Sequence, residues 1–125
     1  MEQKNQSFTE FRSMEKKARI LKNELTKLTG KFPPEEKFRL TDQLIRSSRS
    51  ITANISEGHG RFTYKDQLHF CIQARGSLSE THNHLFDALD CRYISETQLD
   101  YYKNMADETG RLLNGYITFL RNNIK

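Results

Sequence analysis

An all-α fold, specifically a bundle of antiparallel helices, is what this sequence predicts, and three observations predict it. Apolar residues recur at three- and four-residue steps over long stretches instead of alternating. The 125 residues hold only two prolines and six glycines, and these cluster at expected turns. Polar residues with N-cap character, Ser7, Thr63 and Ser95, precede three of the stretches. Four helices of roughly 20–28 residues with short loops make an up-down-up-down antiparallel four-helix bundle. It is expected as a single domain over residues 1–125, with helices at about 7–29, 34–58, 63–90 and 95–121.

The first helix is read from Ser7, with Glu10 completing a capping box. Phe8, Phe11, Met14, Ala18, Leu21, Leu25 and Leu28 form its apolar stripe, and Gly30 ends it. The second opens on Pro33 and Pro34, which are tolerated in a first turn where an N–H has no intrahelical partner. Glu35 and Glu36 then sit at the positive end of the helix dipole. Phe38, Leu44, Ile45, Ile51 and Ile55 carry its apolar face, while Ser47, Ser48, Ser50 and Ala53 keep it narrow. Gly58 and Gly60 are expected to stop it in a left-handed cap. The third helix starts behind Thr63, with Asp66 in the first turn. Its stripe is Tyr64, Leu68, Cys71, Leu78, Leu85 and Leu89, widened by Ile72, Ala74 and Phe86. Gly76, in mid-helix, is expected to mark close packing, with Ala53 and Ser77 as matching small surfaces. The fourth starts at Ser95 with Gln98 in the capping-box position, and has Leu99, Tyr102, Met105, Thr109, Leu112, Tyr116 and Phe119 on its stripe. Gly110 and Gly115 again point to close contact.

Composition narrows the function classes. No run of 18 apolar residues is present, so no transmembrane helix is expected, and the opening MEQKNQSF lacks the apolar core of a secretory signal. A cytoplasmic location is the expectation. Cys71 and Cys91 form no metal or redox spacing. On one helix they stand roughly 30 Å apart, too far to bridge, so both are read as reduced thiols. The formal net charge of +4 is uneven: residues 1–50 hold 12 Lys or Arg against 7 Asp or Glu, and the remaining residues 8 against 9. Apolar residues outside the narrow stripes, Ile20, Ile72, Phe86, Leu113, Ile117 and Leu120, predict burial between subunits.

The run Ser50-Ile51, Asn54-Ile55, Glu57-Gly58, Gly60-Arg61 resembles the signature of the bacterial four-helix-bundle family named for open reading frames in 23S rRNA intervening sequences. Phe32-Pro33, Glu36, Phe38, Leu40, Gln43, Arg46 and the later Gly76-Ser77-Leu78 with Glu80 match the same pattern. The resemblance implies a ring-like homo-oligomer, a pentamer. The related accessory proteins of diversity-generating retroelements form basic pentamers that associate with nucleic acid and reverse transcriptase. RNA or a ribonucleoprotein is therefore the partner expected beside the chain itself.

Two residue sets are singled out. Lys16, Lys17, Arg19, Lys22 and Lys27 on the first helix are the candidate nucleic-acid contacts, since cations neutralise phosphates without reading sequence. Gln43, Arg46, Asn54, Glu57, Arg61, Ser77 and Glu80 are read as an internal polar network setting helix register, with a small polar pocket as the functional alternative. Arg75 and His82, seven apart, resemble the active-site pair of HEPN-type ribonucleases. No histidine pair has the i, i+4 spacing of helical metal ligands, and no phosphate-cradling loop or nucleophile motif is present, so neither metal, cofactor nor catalysis is expected. The leading reading is a non-enzymatic scaffold associating with RNA. A purely structural or protein-interaction module is the alternative, and a ribonuclease the third.

Overall fold

A computed structural model describes the backbone of residues 2–124 and the side chains of residues 8–124. Four α-helices, α1 (Glu2–Thr29), α2 (Leu40–His59), α3 (Tyr64–Asp90) and α4 (Glu96–Asn122), account for nearly all of it, with one 3₁₀ turn at Pro34–Glu36. Among the described residues there is no strand. Each helix packs on its chain neighbours and α1 closes against α4. Side-chain partners run in opposite order along successive helices: Ser47 meets Thr81 and Ser50 meets Ser77, while Arg75 meets Asn114 and His82 meets Asp107. The result is an up-down-up-down bundle. Met14, Leu21, Leu25, Leu44, Ile51, Ile55, Leu85, Leu113, Ile117 and Leu120 are all fully buried along its axis.

The helix boundaries depart from the expectations at the N-termini of α1 and α2. α1 begins at Glu2, so Ser7 lies inside the helix and does not cap it; its side chain lies outside the described residues. The second helix does not run from residue 34. Pro34–Glu36 closes a single 3₁₀ turn, and α2 starts only at Leu40, where Glu36 Oε2 accepts from the Leu40 N–H at 3.0 Å. That leaves Phe38 outside α2 and 84% exposed, not on the apolar face. Where a cap is chemically explicit the start is sharp. Thr63 Oγ1 accepts from Asp66 N at 3.2 Å, and Ser95 and Gln98 form a reciprocal capping box.

Contrary to the sequence expectation, Gly58 and Gly60 form no left-handed cap, and Gly76 and Gly115 mark no close packing within the bundle. Among the described residues no glycine has positive φ; Gly60 sits at φ −75 and Gly58 is buried inside α2. The left-handed position belongs to Arg92 (φ 63). Behind α3, Tyr93 N donates to Ala88 O and Arg92 N to Leu89 O, both at 2.9 Å, the bonding of a Schellman stop. Gly76 is exposed, and a Cβ built on it meets nothing within 4 Å; Gly115 is equally open. The close approaches lie at Gly58, against Phe70 of α3, and at Gly110, whose Cβ would meet Leu78 Cδ2 at 3.1 Å. The apolar face of α4 is also rotated from the expected stripe: Leu113, Ile117 and Leu120 are core, while Tyr102, Met105, Leu112 and Phe119 are only partly buried. Ile20, Ile72 and Phe86 stay 37–43% exposed.

Polar ties close both ends of the core. Tyr116 Oη donates to Gln67 Oε1 (3.2 Å), and Gln67 Nε2 to the Arg61 carbonyl (3.3 Å). At the opposite end Tyr93 Oη donates to Glu36 Oε1 (3.1 Å), joining the two loops there. Both cysteines are free; Cys71 is buried, and burial pushes its thiol up to about 11, whereas Cys91 is exposed. No helix of the described residues is long and apolar enough to cross a membrane.

Candidate nucleic-acid interface and polar grooves

The five cations of the first helix do not share one face. At about 100° per residue, Lys16 and Arg19 project away from the buried side of α1 together with Arg12, and all three are exposed. With Ser13 and Glu15 they bound a shallow concavity of about 400 Å³. Among the described residues none of the three has an ion-pair partner; Arg12 lies 5.9 Å from the Phe8 ring. Lys17 instead projects toward α4 and pairs with Glu108 at 3.0 Å. Lys22 is half-buried, and Lys27 pairs with Glu24 at 3.5 Å. Arg12, which the sequence reading omitted, belongs to the outward stripe, and Lys17 does not.

Between α2 and α3 runs a chain of small polar groups. Ser47 Oγ and Thr81 Oγ1 lie 2.9 Å apart, and Thr81 donates to the Ser77 carbonyl at 2.9 Å. Ser77 Oγ donates to Ser50 Oγ (2.9 Å), which also accepts from Asn54 Nδ2 at 3.1 Å. Hydroxyls satisfied across a seam let two helices approach closely without orphaning polar atoms. Of the seven network residues, Ser77 and Asn54 belong to this chain. Gln43, Arg46, Glu57, Arg61 and Glu80 are exposed, so a buried network does not include them. Arg61 pairs with Glu57 (2.7 Å) within one helical turn, and Arg46 with Asp42 (3.6 Å). Gln43, Arg46 and Glu80 line the open side of the seam, a groove of about 590 Å³.

A second groove, of about 550 Å³, lies between α3 and α4. Two polar rows face one another across it. Arg75, Ser79 and His82 come from α3, and Asp107, Arg111 and Asn114 from α4, each row at i, i+4, i+7. Leu78, Ala106 and Gly110 lie at its base, with Gly110 allowing the helices to close. At one end Arg75 Nη1 donates to Asn114 Oδ1 (3.4 Å). At the other, His82 Nε2 lies 2.9 Å from Asp107 Oδ1, and its Nδ1 lies 3.1 Å from the Leu78 carbonyl. Lys103 Nζ donates to the second Asp107 oxygen at 3.0 Å. That bond, followed by the bond to His82, holds the Asp107 carboxyl below its ordinary value against an opposing desolvation. Among the described residues no group of three or more His, Cys, Asp or Glu could hold a metal ion.

The fold defines the class: a four-helix all-α bundle with a small polar seam between α2 and α3 and a basic stripe on α1. The sequence profile of the 23S rRNA-intervening sequence protein family matches residues 12–115, and the chain belongs to that family. Its fold is shared with a protein of unknown function from the S23 ribosomal protein family of Bacteroides thetaiotaomicron VPI-5482. That crystal structure matches with a TM-score of 0.82 over 87% of this chain and 98% of the other, at 24% sequence identity. No curated protein matches the chain.

Proposed function

We propose that this protein is a non-enzymatic, homo-oligomeric scaffold that associates with RNA through the outer face of α1. The observation that carries the reading is the stripe Arg12, Lys16 and Arg19: outward, exposed and without ion-pair partners among the described residues, it is free to neutralise phosphates. Assembly is supported by the outer side of α3, where Ile72 and Phe86 stay exposed with the open Gly76 between them. The pentameric count follows from the resemblance to the family. Repetition of one basic stripe around a ring multiplies a weak electrostatic contact into an avid one. Both His82 ring nitrogens face protein acceptors, Asp107 Oδ1 and the Leu78 carbonyl, an arrangement that suits a structural tie between α3 and α4.

Filter binding of single-stranded RNA over a salt series tests this. Affinity should fall steeply with salt, and Lys16→Glu with Arg19→Glu should weaken it and lower the salt slope by about one per lost phosphate contact. Circular dichroism should stay unchanged, since both side chains project off the core. RNA recovered from the filters should be intact. Absence of binding at physiological salt would overturn the RNA reading, and cleavage lost in His82→Ala would establish the ribonuclease one.

A further inference from the structure

We infer that the α3–α4 groove is a phosphate-binding site separate from the basic stripe of α1. The groove is crossed by hydrogen bonds at its two ends only, Arg75 to Asn114 and His82 to Asp107. Its middle rung, Ser79 opposite Arg111, is unbridged. Ser79 Oγ donates to the Arg75 carbonyl at 3.3 Å, beyond the usual range for a hydroxyl bond. Arg111 lies 3.9 Å from Glu108 Oε1, an oxygen that Lys17 already holds at 3.0 Å. Two guanidinium groups thus flank an opening whose only lining carboxylate among the described residues, Asp107, is neutralised on one oxygen by Lys103 and bonded on the other to His82. Planar guanidinium donors match the tetrahedral oxygens of phosphate, and a hydroxyl between them supplies a further donor. Leu78, Ala106 and Gly110 form the base of the groove, which is open to solvent above them.

The phosphate has two sources, an RNA backbone or a free nucleotide, and only the first rests on the RNA reading above. The test follows Arg75 and Arg111 Nε–Hε resonances and the α1 amides by NMR. Inorganic phosphate, adenosine monophosphate and a single-stranded RNA decamer are titrated separately into the full chain. Saturable shifts of both arginine signals are expected, with affinity falling at least about tenfold in Arg111→Gln, as loss of one charge-assisted contact implies. Lys16→Glu with Arg19→Glu should leave the phosphate shifts unchanged. Groove shifts with the decamer alone assign the site to the RNA backbone; shifts with the mononucleotide at comparable or tighter affinity assign it to a free nucleotide. Groove shifts with phosphate or mononucleotide but no response to RNA anywhere sustain the site and overturn the RNA reading. Shifts of the α1 amides with RNA while the groove stays silent to all three probes overturn the site and sustain that reading. Undiminished shifts in both Arg75→Gln and Arg111→Gln also overturn it.

Discussion

Arg92 occupies the one positive-φ position among the described residues outside glycine, at the stop of α3. A side chain in that conformation costs about 1–2 kcal/mol that glycine avoids, partly offset by glycine's freer unfolded chain. Arg92→Gly is therefore expected to raise the thermal midpoint by a few degrees, corresponding to about 1 kcal/mol; an unchanged or lower midpoint would show that the arginine side chain returns the difference. Gly58 behaves oppositely. A Cβ there would lie 2.9 Å from Phe70 Cβ and 3.3 Å from the Gln67 carbonyl, both close to the α3 backbone and unable to swing aside. Overpacking of about 1–3 kcal/mol should outweigh the helix-propensity gain of about 1 kcal/mol, so Gly58→Ala should melt earlier. Gly115→Ala, with nothing within 4 Å of its Cβ, should instead gain about 0.5–1 kcal/mol. Thermal melts of the two variants side by side check both signs. Every glycine looks alike in a sequence. Only the distance to the neighbouring helix separates a required absence of side chain from a neutral one.

At the scale of elements, helix starts were legible wherever the cap is the side chain of the N-cap residue itself. Ser95 with Gln98 and Thr63 with Asp66 are local in sequence and need no tertiary partner. The start of α2 was not legible, because Glu36 caps Leu40 from inside a separate 3₁₀ turn and is itself held by Tyr93, 57 residues away. The α3–α4 pairing was hidden for a similar reason. Arg75, Ser79 and His82 share a face in any helix, and so do Asp107, Arg111 and Asn114, but which rungs meet depends on the register set by Gly110 and Leu78. The pairing carries a pH dependence. Folding lowers the Asp107 pKa from its ordinary 3.8, chiefly through Lys103 and then His82. The unfolded state thus binds more protons through the intervening range, and the stabilisation is present above about pH 4 and lost as pH falls through the folded value. Denaturant titrations at about pH 7 and about pH 2 should show Asp107→Asn less stable than the parent at the higher pH, the gap closing at the lower one. The carboxylate is largely exposed, so the gap should be small. A gap independent of pH would assign the loss to packing.

The whole molecule raises the question of assembly. Light scattering is expected to give a mass near five times the 14.7 kDa of one chain. Ile72→Lys with Phe86→Lys should shift it toward the protomer, because a charge on a buried apolar face leaves an uncompensated desolvation cost. A monomeric parent protein would refute the assembly, and a double variant of undiminished mass would move the interface off α3. Helix number, order and most of the core of α1 were determined by sequence alone: Phe11, Met14, Ala18, Leu21, Leu25 and Leu28 are all buried as their spacing requires, while Phe8, expected at the head of the same stripe, is exposed. Such periodicity is a property of each segment, since a helix lacking a partner for its apolar stripe is marginal in water. Tertiary structure alone decided the rotation of α4 that buries Leu113 and Ile117, the pairing of Lys17 with Glu108 of α4, and the juxtaposition of two polar rows across the α3–α4 groove. Those depend on where one helix surface meets another, and side-chain volumes at the contact set that meeting at a resolution finer than the helical repeat.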